Sequence, residues 1–236
     1  TMPAEIVTIE VRAPEQGIHS PRAGVQDIVR PRIYGRLSDD GCSKDIAYLI
    51  LHPAVNFMHH YLIDPMQGRG RAILALNSRY VNNDSGLLVE RVIQDIGAGV
   101  KFLRDRGYKR VVYIGNSGGG SVGTLYQSQA ENLTLTTTAD GAPLDLTPED
   151  LPPVDAFVLA SCHIGRARHF GMSLDPSVLD EKDVLSTDPD LDMFDERNGP
   201  PYDREWLKTY SAAQAARHRR ITDWALGRLR EIEAMP

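Results

Sequence analysis

Residues 110–123 read RVVYIGNSGGGSVG, an apolar run that meets a glycine and then passes through four more glycines toward a helical composition. A buried strand that turns at once into a helix leaves little room for side chains at the corner, and small residues at fixed offsets are what such a corner demands. The stretch has two readings. Gly115, Ser117 and Gly119 form G-x-S-x-G, the turn that presents a nucleophilic serine. Gly118, Gly120 and Gly123 form G-x-G-x-x-G, the glycine pattern of a dinucleotide-binding turn.

The neighbouring sequence sets the context. IAYLILHP (46–53), RAILALNSRY (71–80) and DAFVLASCHIG (155–165) are continuous apolar runs, the mark of strands buried on both faces of a parallel sheet. A helix is expected between the first two, to about Pro65, and a longer one from Leu87 to Arg106. Val89, Ile93, Ile96, Val100 and Leu103 recur along the longer one at three- and four-residue steps, and Gly107 ends it. EIVTIEVRA (5–13) and DIVRPRIYGRL (27–37) are β-rich and partly alternating, as in an antiparallel opening. The alternation of strand and helix predicts an α/β fold, a mostly parallel, doubly wound sheet over residues 1–165. Residues 166–236 differ: an Asp- and Pro-rich irregular segment precedes two expected amphipathic helices. Trp206, Tyr210 and Ala213 mark one, and Ile221, Trp224 or Ala225, Leu229 and Ile232 mark the other.

Register separates the two readings of the glycine stretch. The first fingerprint glycine of a dinucleotide turn sits directly at the strand end, where this chain has Gly115, and Ser117 stands where the second glycine belongs. The literal G-x-G-x-x-G begins three residues late, inside the expected helix, even though Asp140 lies at a suitable distance for a ribose. The G-x-S-x-G reading fits strand, turn and helix together.

The order LILHPAVNF, ALNSRYVNND, VVYIGNSGGG, FVLASCHIGRA resembles the α/β-hydrolase superfamily, in particular its capped esterase and lipase-like branch, over residues 28–165. The resemblance implies that Ser117 is a nucleophile activated by a histidine that a carboxylate orients. It further implies an oxyanion hole from the backbone N–H of Gly118 and one N–H of the loop after LILH. His52-Pro53-Ala54 occupies that loop; proline has no N–H, so Ala54 is the expected donor, with Val55 as the second choice and a pocket residue. His52 is expected to be a structural residue of the turn. Arg79 and Tyr80 follow a strand's carboxyl end, where ligands bind in open α/β sheets; an ion pair is an equal expectation for Arg79.

After Ser117 only His163, His169 and His218 remain, and none stands on a loop after a final strand, where the resemblance puts the base. His163 is expected at the pocket edge. Strands are recognisable as far as the sixth of the usual eight, so the resemblance implies that a second polypeptide, the C-terminal portion of the same protein, completes the sheet and supplies acid and histidine. Residues 166–236 would then form the cap.

The expected function is therefore hydrolysis of a small-molecule carboxylic ester, or a related lactone or amide, through an acyl-enzyme, with no metal and no organic cofactor. Two alternatives stand beside it: a non-catalytic ligand-binding or scaffold protein on the same fold, and a dinucleotide-binding oxidoreductase using Gly118, Gly120 and Gly123. A formal net charge of −6 argues against nucleic acid or an anionic membrane as partner. No apolar run approaches the length of a membrane span, and Cys42 and Cys162 read as unpaired thiols, which places the chain in the cytoplasm by default. His59 and His60 are adjacent and so face different ways on a helix, unlike a metal-binding pair.

Overall fold

The computed structural model of the protein describes residues 4–12, 18–20, 25–28, 31–139 and 141–235. Asp140 and parts of the expected strands at 5–13 and 27–37 lie outside the described residues. The chain forms two compact units, Thr1–Gly165 and Arg166–Pro236.

The first unit opens with β1 (Glu5–Glu10), followed by a two-stranded antiparallel ribbon of β2 (Ile18–Ser20) and β3 (Val25–Ile28). Then come β4 (Arg32–Ser38), β5 (Ile46–His52), α1 (Ile63–Gln67), β6 (Ala72–Asn77), α2 (Val89–Asp105), β7 (Arg110–Ser117), α3 (Gly118–Glu131) and β8 (Ala156–Cys162). Six of these strands make one sheet in the order β1-β4-β6-β5-β7-β8. β4 runs antiparallel to both β1 and β6, whereas β6, β5, β7 and β8 are mutually parallel. The fold is α/β with a mostly parallel sheet.

The two-residue period of the strands explains the layering. Leu49 and Leu51 of β5, Leu74 and Leu76 of β6, and Val111 and Tyr113 of β7 share one face. There they meet Ile93, Ile96, Val100 and Leu103 of α2 and Val122 and Tyr126 of α3. The alternate residues Ile50, Ile73, Ala75 and Ile114 point the other way, onto Phe57 and Ile63 at α1. Helices therefore cover both faces, which is why these strands are apolar throughout rather than alternating. β1 and β4 lie at the margin, and their burial alternates instead.

The expected helix boundaries shift in detail. The Asn-Asn-Asp-Ser-Gly stretch forms a short 3-10 turn at Asp84–Gly86 before α2 begins. α1 is a single turn that ends just past Pro65.

The second unit contains α4 (Arg166–Met172), a hairpin of β9 (Val178–Asp180) and β10 (Asp183–Thr187), and α5 (Arg204–Glu233). It corrects two sequence expectations. The two terminal helices are one helix of 30 residues, because nothing between Ala213 and Ile221 breaks it: the intervening residues include neither Gly nor Pro and are rich in Ala, Arg and Gln. The Asp- and Pro-rich stretch is also more ordered than its composition suggested. Tyr202, Trp206 and Tyr210 form a ring column with centroids 5.0 and 4.9 Å apart, and Trp206 Nε1 donates to the Asp190 carbonyl at 2.8 Å. Asp203 caps α5 by accepting from the backbone N–H groups of Glu205 and Trp206.

Candidate functional site

The corner between β7 and α3 sits at the carboxyl ends of the parallel strands, and Ser117 forms it. Its backbone has φ 52° and ψ −128°, a conformation that non-glycine residues rarely hold and that costs about 1–3 kcal/mol. The flanking glycines make this corner feasible. A Cβ on Gly115 would stand 2.6 Å from Gly120 Cα, and one on Gly119 would stand 2.2 Å from the Leu51 carbonyl oxygen. The helix thus seats against β7 and β5 closely enough to exclude methyl groups at both positions. Ser117 itself is exposed, and among the described residues its hydroxyl makes no hydrogen bond. No side chain caps α3, so the N–H groups of its first turn, Gly118 included, present the positive end of the helix dipole beside Ser117.

Gly118, Gly120 and Gly123 are all buried in α3. A Cβ on Gly120 would stand 2.2 Å from Cys162 Cβ, and one on Gly123 would stand 2.2 Å from Tyr113 Cε1. These two glycines serve helix-to-sheet packing.

The loop after β5 borders the same corner. His52 Nδ1 accepts the backbone N–H of Ala54 at 3.1 Å and of Val55 at 2.9 Å, so both expected oxyanion donors are engaged by the ring that precedes them. The loop is laced to the end of β6. Ser78 Oγ donates to the Pro53 carbonyl at 2.5 Å, Asn82 N–H to the Ala54 carbonyl at 2.7 Å, and Phe57 N–H to Asn77 Oδ1 at 2.9 Å. Val55 is half exposed.

Arg79 follows the same strand end, yet its guanidinium is 2% exposed and lies against Asp95 of α2, which is 0% exposed. Asp95 accepts from Arg79 Nε at 2.8 Å and from the Arg79 backbone N–H at 2.9 Å. The pair pins the 78–82 loop, and through it the Pro53–Ala54 loop, to α2. Burial pushes the neighbouring Tyr80 phenol up to about 12, so it remains protonated.

On the other side of β7, the β8 ladder slips. Asn116 faces Ala160 while Ser117 faces Cys162, which leaves Ser161 as the extra residue with φ 50°. His163 follows this bulge, and its Nδ1 accepts the Gly165 N–H at 3.3 Å. Both His52 and His163 reach Gly118: a Cβ there would stand 2.9 Å from His52 Nε2 and 3.4 Å from His163 Nε2. His169 on α4 and His218 on α5 belong to the second unit, where His218 packs over Gly171.

The sequence reading missed His60. Its Nε2 lies 3.3 Å from Asn116 Oδ1, its Nδ1 accepts the Leu62 N–H at 3.2 Å, and Asn116 Nδ2 donates to the Ala160 carbonyl at 2.9 Å. Burial lowers the His60 pKa, partly offset by the bond to Asn116, so the ring buttresses the residue before Ser117 in neutral form. Only the asparagine before the serine hinted at such a contact, and it names no partner.

No family model matches the sequence, and no curated protein matches it. Among solved structures, a protein from Agrobacterium vitis S4 named as a hydrolase aligns at 13% identity and TM-score 0.39, over 55% of this chain and 47% of its own. An esterase of Pyrococcus furiosus aligns at 21% identity and TM-score 0.37, over 56% of this chain and 48% of its own. A dienelactone hydrolase-like promiscuous phosphotriesterase from metagenomic libraries aligns at 13% identity and TM-score 0.35, over 93% of this chain and 98% of its own. The chain spans about half the length of the first two. Likenesses at this level fix neither a family nor an activity. Among the described residues, no helix is long and apolar enough to cross a membrane.

Proposed function

We propose that the chain carries the nucleophile of a serine hydrolase that cleaves a carboxylic ester through an acyl-enzyme on Ser117. One observation carries the reading: Ser117 holds φ 52° and ψ −128° at a strand-to-helix corner whose flanking glycines admit no side chain. Strain of this kind persists where the surrounding structure enforces it, and such sites concentrate where chemistry is done.

In the proposed reaction Ser117 Oγ attacks the ester carbonyl carbon, the carbonyl electron pair moves to oxygen, and the alcohol leaves. Water then hydrolyses the acyl-serine. The developing oxyanion is met by the N–H of Gly118, at the positive end of α3. A serine hydroxyl needs a base, and among the described residues none hydrogen-bonds to it. We assign the base and its carboxylate to a further polypeptide segment that pairs along β8. That strand ends the sheet, so its outer backbone groups are open to an added strand, and Val158, 44% exposed, and Leu159, 55% exposed, lie uncovered on its two faces.

The test is a serine-directed fluorophosphonate followed by peptide mapping. Labelling of the 113–123 peptide at Ser117, lost in Ser117→Ala, is the expected result. A wild-type chain that remains unlabelled, with and without the segment that binds β8, overturns the reading.

A further inference from the structure

A groove of about 570 Å³ opens between β1, α2 from Gln94 onward and the 3-10 turn at Pro148–Asp150. Its volume falls within the range of small-molecule sites, about 300–1,000 Å³. β1 is at the opposite margin of the sheet from β8, so the groove is separate from the Ser117 corner. Gln94, Gly97, Ala98 and Lys101 recur along α2 at three- and four-residue steps, and all of them line it. The Gln94 side chain therefore leaves the helix on the face that looks into the groove. The opposite wall is fixed in place: the Pro148–Asp150 turn seats so closely on α2 that a Cβ on Gly97 would overlap the Asp150 carbonyl oxygen.

Gln94 is 3% exposed, yet neither its Oε1 nor its Nε2 has a hydrogen-bond partner among the described residues. Buried polar groups are nearly always paired, and an unpaired donor beside an unpaired acceptor on a cavity wall is the complement of a ligand that carries the same two groups. Nothing tethers the carboxamide, so turning it toward an incoming molecule gives up no hydrogen bond. The charges of the walls are engaged with one another instead. Glu10 accepts from Arg32 at 2.9 Å, and Arg12 Nε donates to Asp150 Oδ1 at 2.7 Å while its Nη1 lies 3.3 Å from Asp145. Lys101, Asp105 and Glu149 are exposed at the rim, where salt screens them. Ile9, Val11 and Phe102 add apolar lining.

We propose that this groove binds an uncharged ligand through a planar amide edge, an N–H beside a C=O, that pairs with the Gln94 carboxamide. Gln94 Nε2 donates to the ligand's carbonyl oxygen, and Gln94 Oε1 accepts the ligand's N–H. One such edge satisfies both buried atoms at once. An anion gains little here, because Glu10, Asp105, Glu149 and Asp150 outnumber Arg12 and Lys101. A cation meets Glu10 and Asp150 already paired. Primary carboxamides and pyrimidine bases both carry the required edge. The site goes beyond the serine-hydrolase reading and is independent of it.

The test titrates the full chain with benzamide and follows the Gln94 side-chain amide in 1H–15N spectra, assigned through its own backbone resonances. Benzamide should shift these signals saturably. Benzoate and N,N-dimethylbenzamide, which keep the ring but carry no N–H, should bind about 10-fold more weakly or worse. Uracil separates the two sources: tighter binding of uracil assigns a pyrimidine, tighter binding of benzamide a carboxamide. Gln94→Leu should weaken the preferred probe by about 10-fold or more. It should leave the urea midpoint unchanged or higher, since it removes two buried polar atoms that have no partner. Gln94 signals that move with neither benzamide nor uracil, or benzoate binding as tightly as benzamide, would overturn the proposal, and both comparisons use the wild type alone. Undiminished binding to Gln94→Leu, or a clear fall in its midpoint, would overturn it as well. Labelling of Ser117 is unaffected by any of these results.

Discussion

Gly119→Ala should destabilise the first unit far more than the same change one residue earlier, and the structure gives the size of the difference. The new methyl at 119 would meet the Leu51 carbonyl oxygen at 2.2 Å, a backbone atom in the central strand that cannot rotate aside. Relief requires α3 to back away from β5 by about 1 Å. That shift takes the Gly119 carbonyl, at 3.0 Å, from the buried Tyr113 hydroxyl and leaves it the Leu51 carbonyl, at 3.3 Å. Overpacking costs about 1–3 kcal/mol. Loss of one of the hydroxyl's two acceptors costs about another 0.5–1.5 kcal/mol. Replacing a helical glycine by alanine returns about 1 kcal/mol. The expected net loss is about 0.5–3.5 kcal/mol. At Gly118 the methyl meets the tip of a side chain, His52 Nε2 at 2.9 Å, and the same helical gain applies, so the net change should lie within about 1 kcal/mol. Urea unfolding followed by circular dichroism measures both variants against wild type. If Gly119→Ala unfolds at the wild-type midpoint, α3 does not seat on β5 as described, and the account of the corner fails with it.

Three further outcomes follow from named groups. Asp95→Asn leaves the Arg79 guanidinium buried without its counter-charge and should cost about 3–5 kcal/mol by urea midpoint; a loss below about 1 kcal/mol would show the pair to be solvated. His60 binds its proton more weakly folded than unfolded, so its contribution is fully present above the unfolded pKa of about 6.5. It is lost as pH falls from there toward the lower folded value. The loss of stability on going from pH 7 to pH 5 should therefore shrink in His60→Gln, and an unchanged slope would remove His60 from the account. Ser117→Gly relieves the positive φ while making the unfolded chain looser, so it should raise the urea midpoint or leave it unchanged; a clear drop would mean that the corner is not strained.

Much of this arrangement was legible in the chain because it rests on local chemistry. Uninterrupted apolar runs at 46–53 and 71–80 require helices on both faces, and the glycines around Ser117 require a close corner; both are short-range demands that the residues state directly. Contacts set by tertiary approach were not legible. Nothing local in His52-Pro53-Ala54 says that the histidine ring will curl over the next two amides and engage the N–H expected to meet an oxyanion. Arg79 at a strand end reads equally as pocket lining or as an ion pair, and only the packing of α2 brings Asp95 to it. The single long helix α5 was misread as two because its apolar positions change face along the way. The pattern of exposed Trp224, Leu229 and Ile232 looks like a new element when helix continuity is judged by periodicity alone.

The central claim is that Ser117 forms a covalent acyl intermediate, and the most direct measurement is intact mass after a brief reaction with p-nitrophenyl butyrate, quenched in acid and mapped by peptide. Cys162, its register partner on β8, makes the mapping essential, since an exposed thiol can also be acylated. The account predicts a butyryl group on Ser117, formed when the proposed segment at β8 is present and absent from Ser117→Ala. A butyryl group on Cys162 alone, or an adduct that survives Ser117→Ala unchanged, would contradict it.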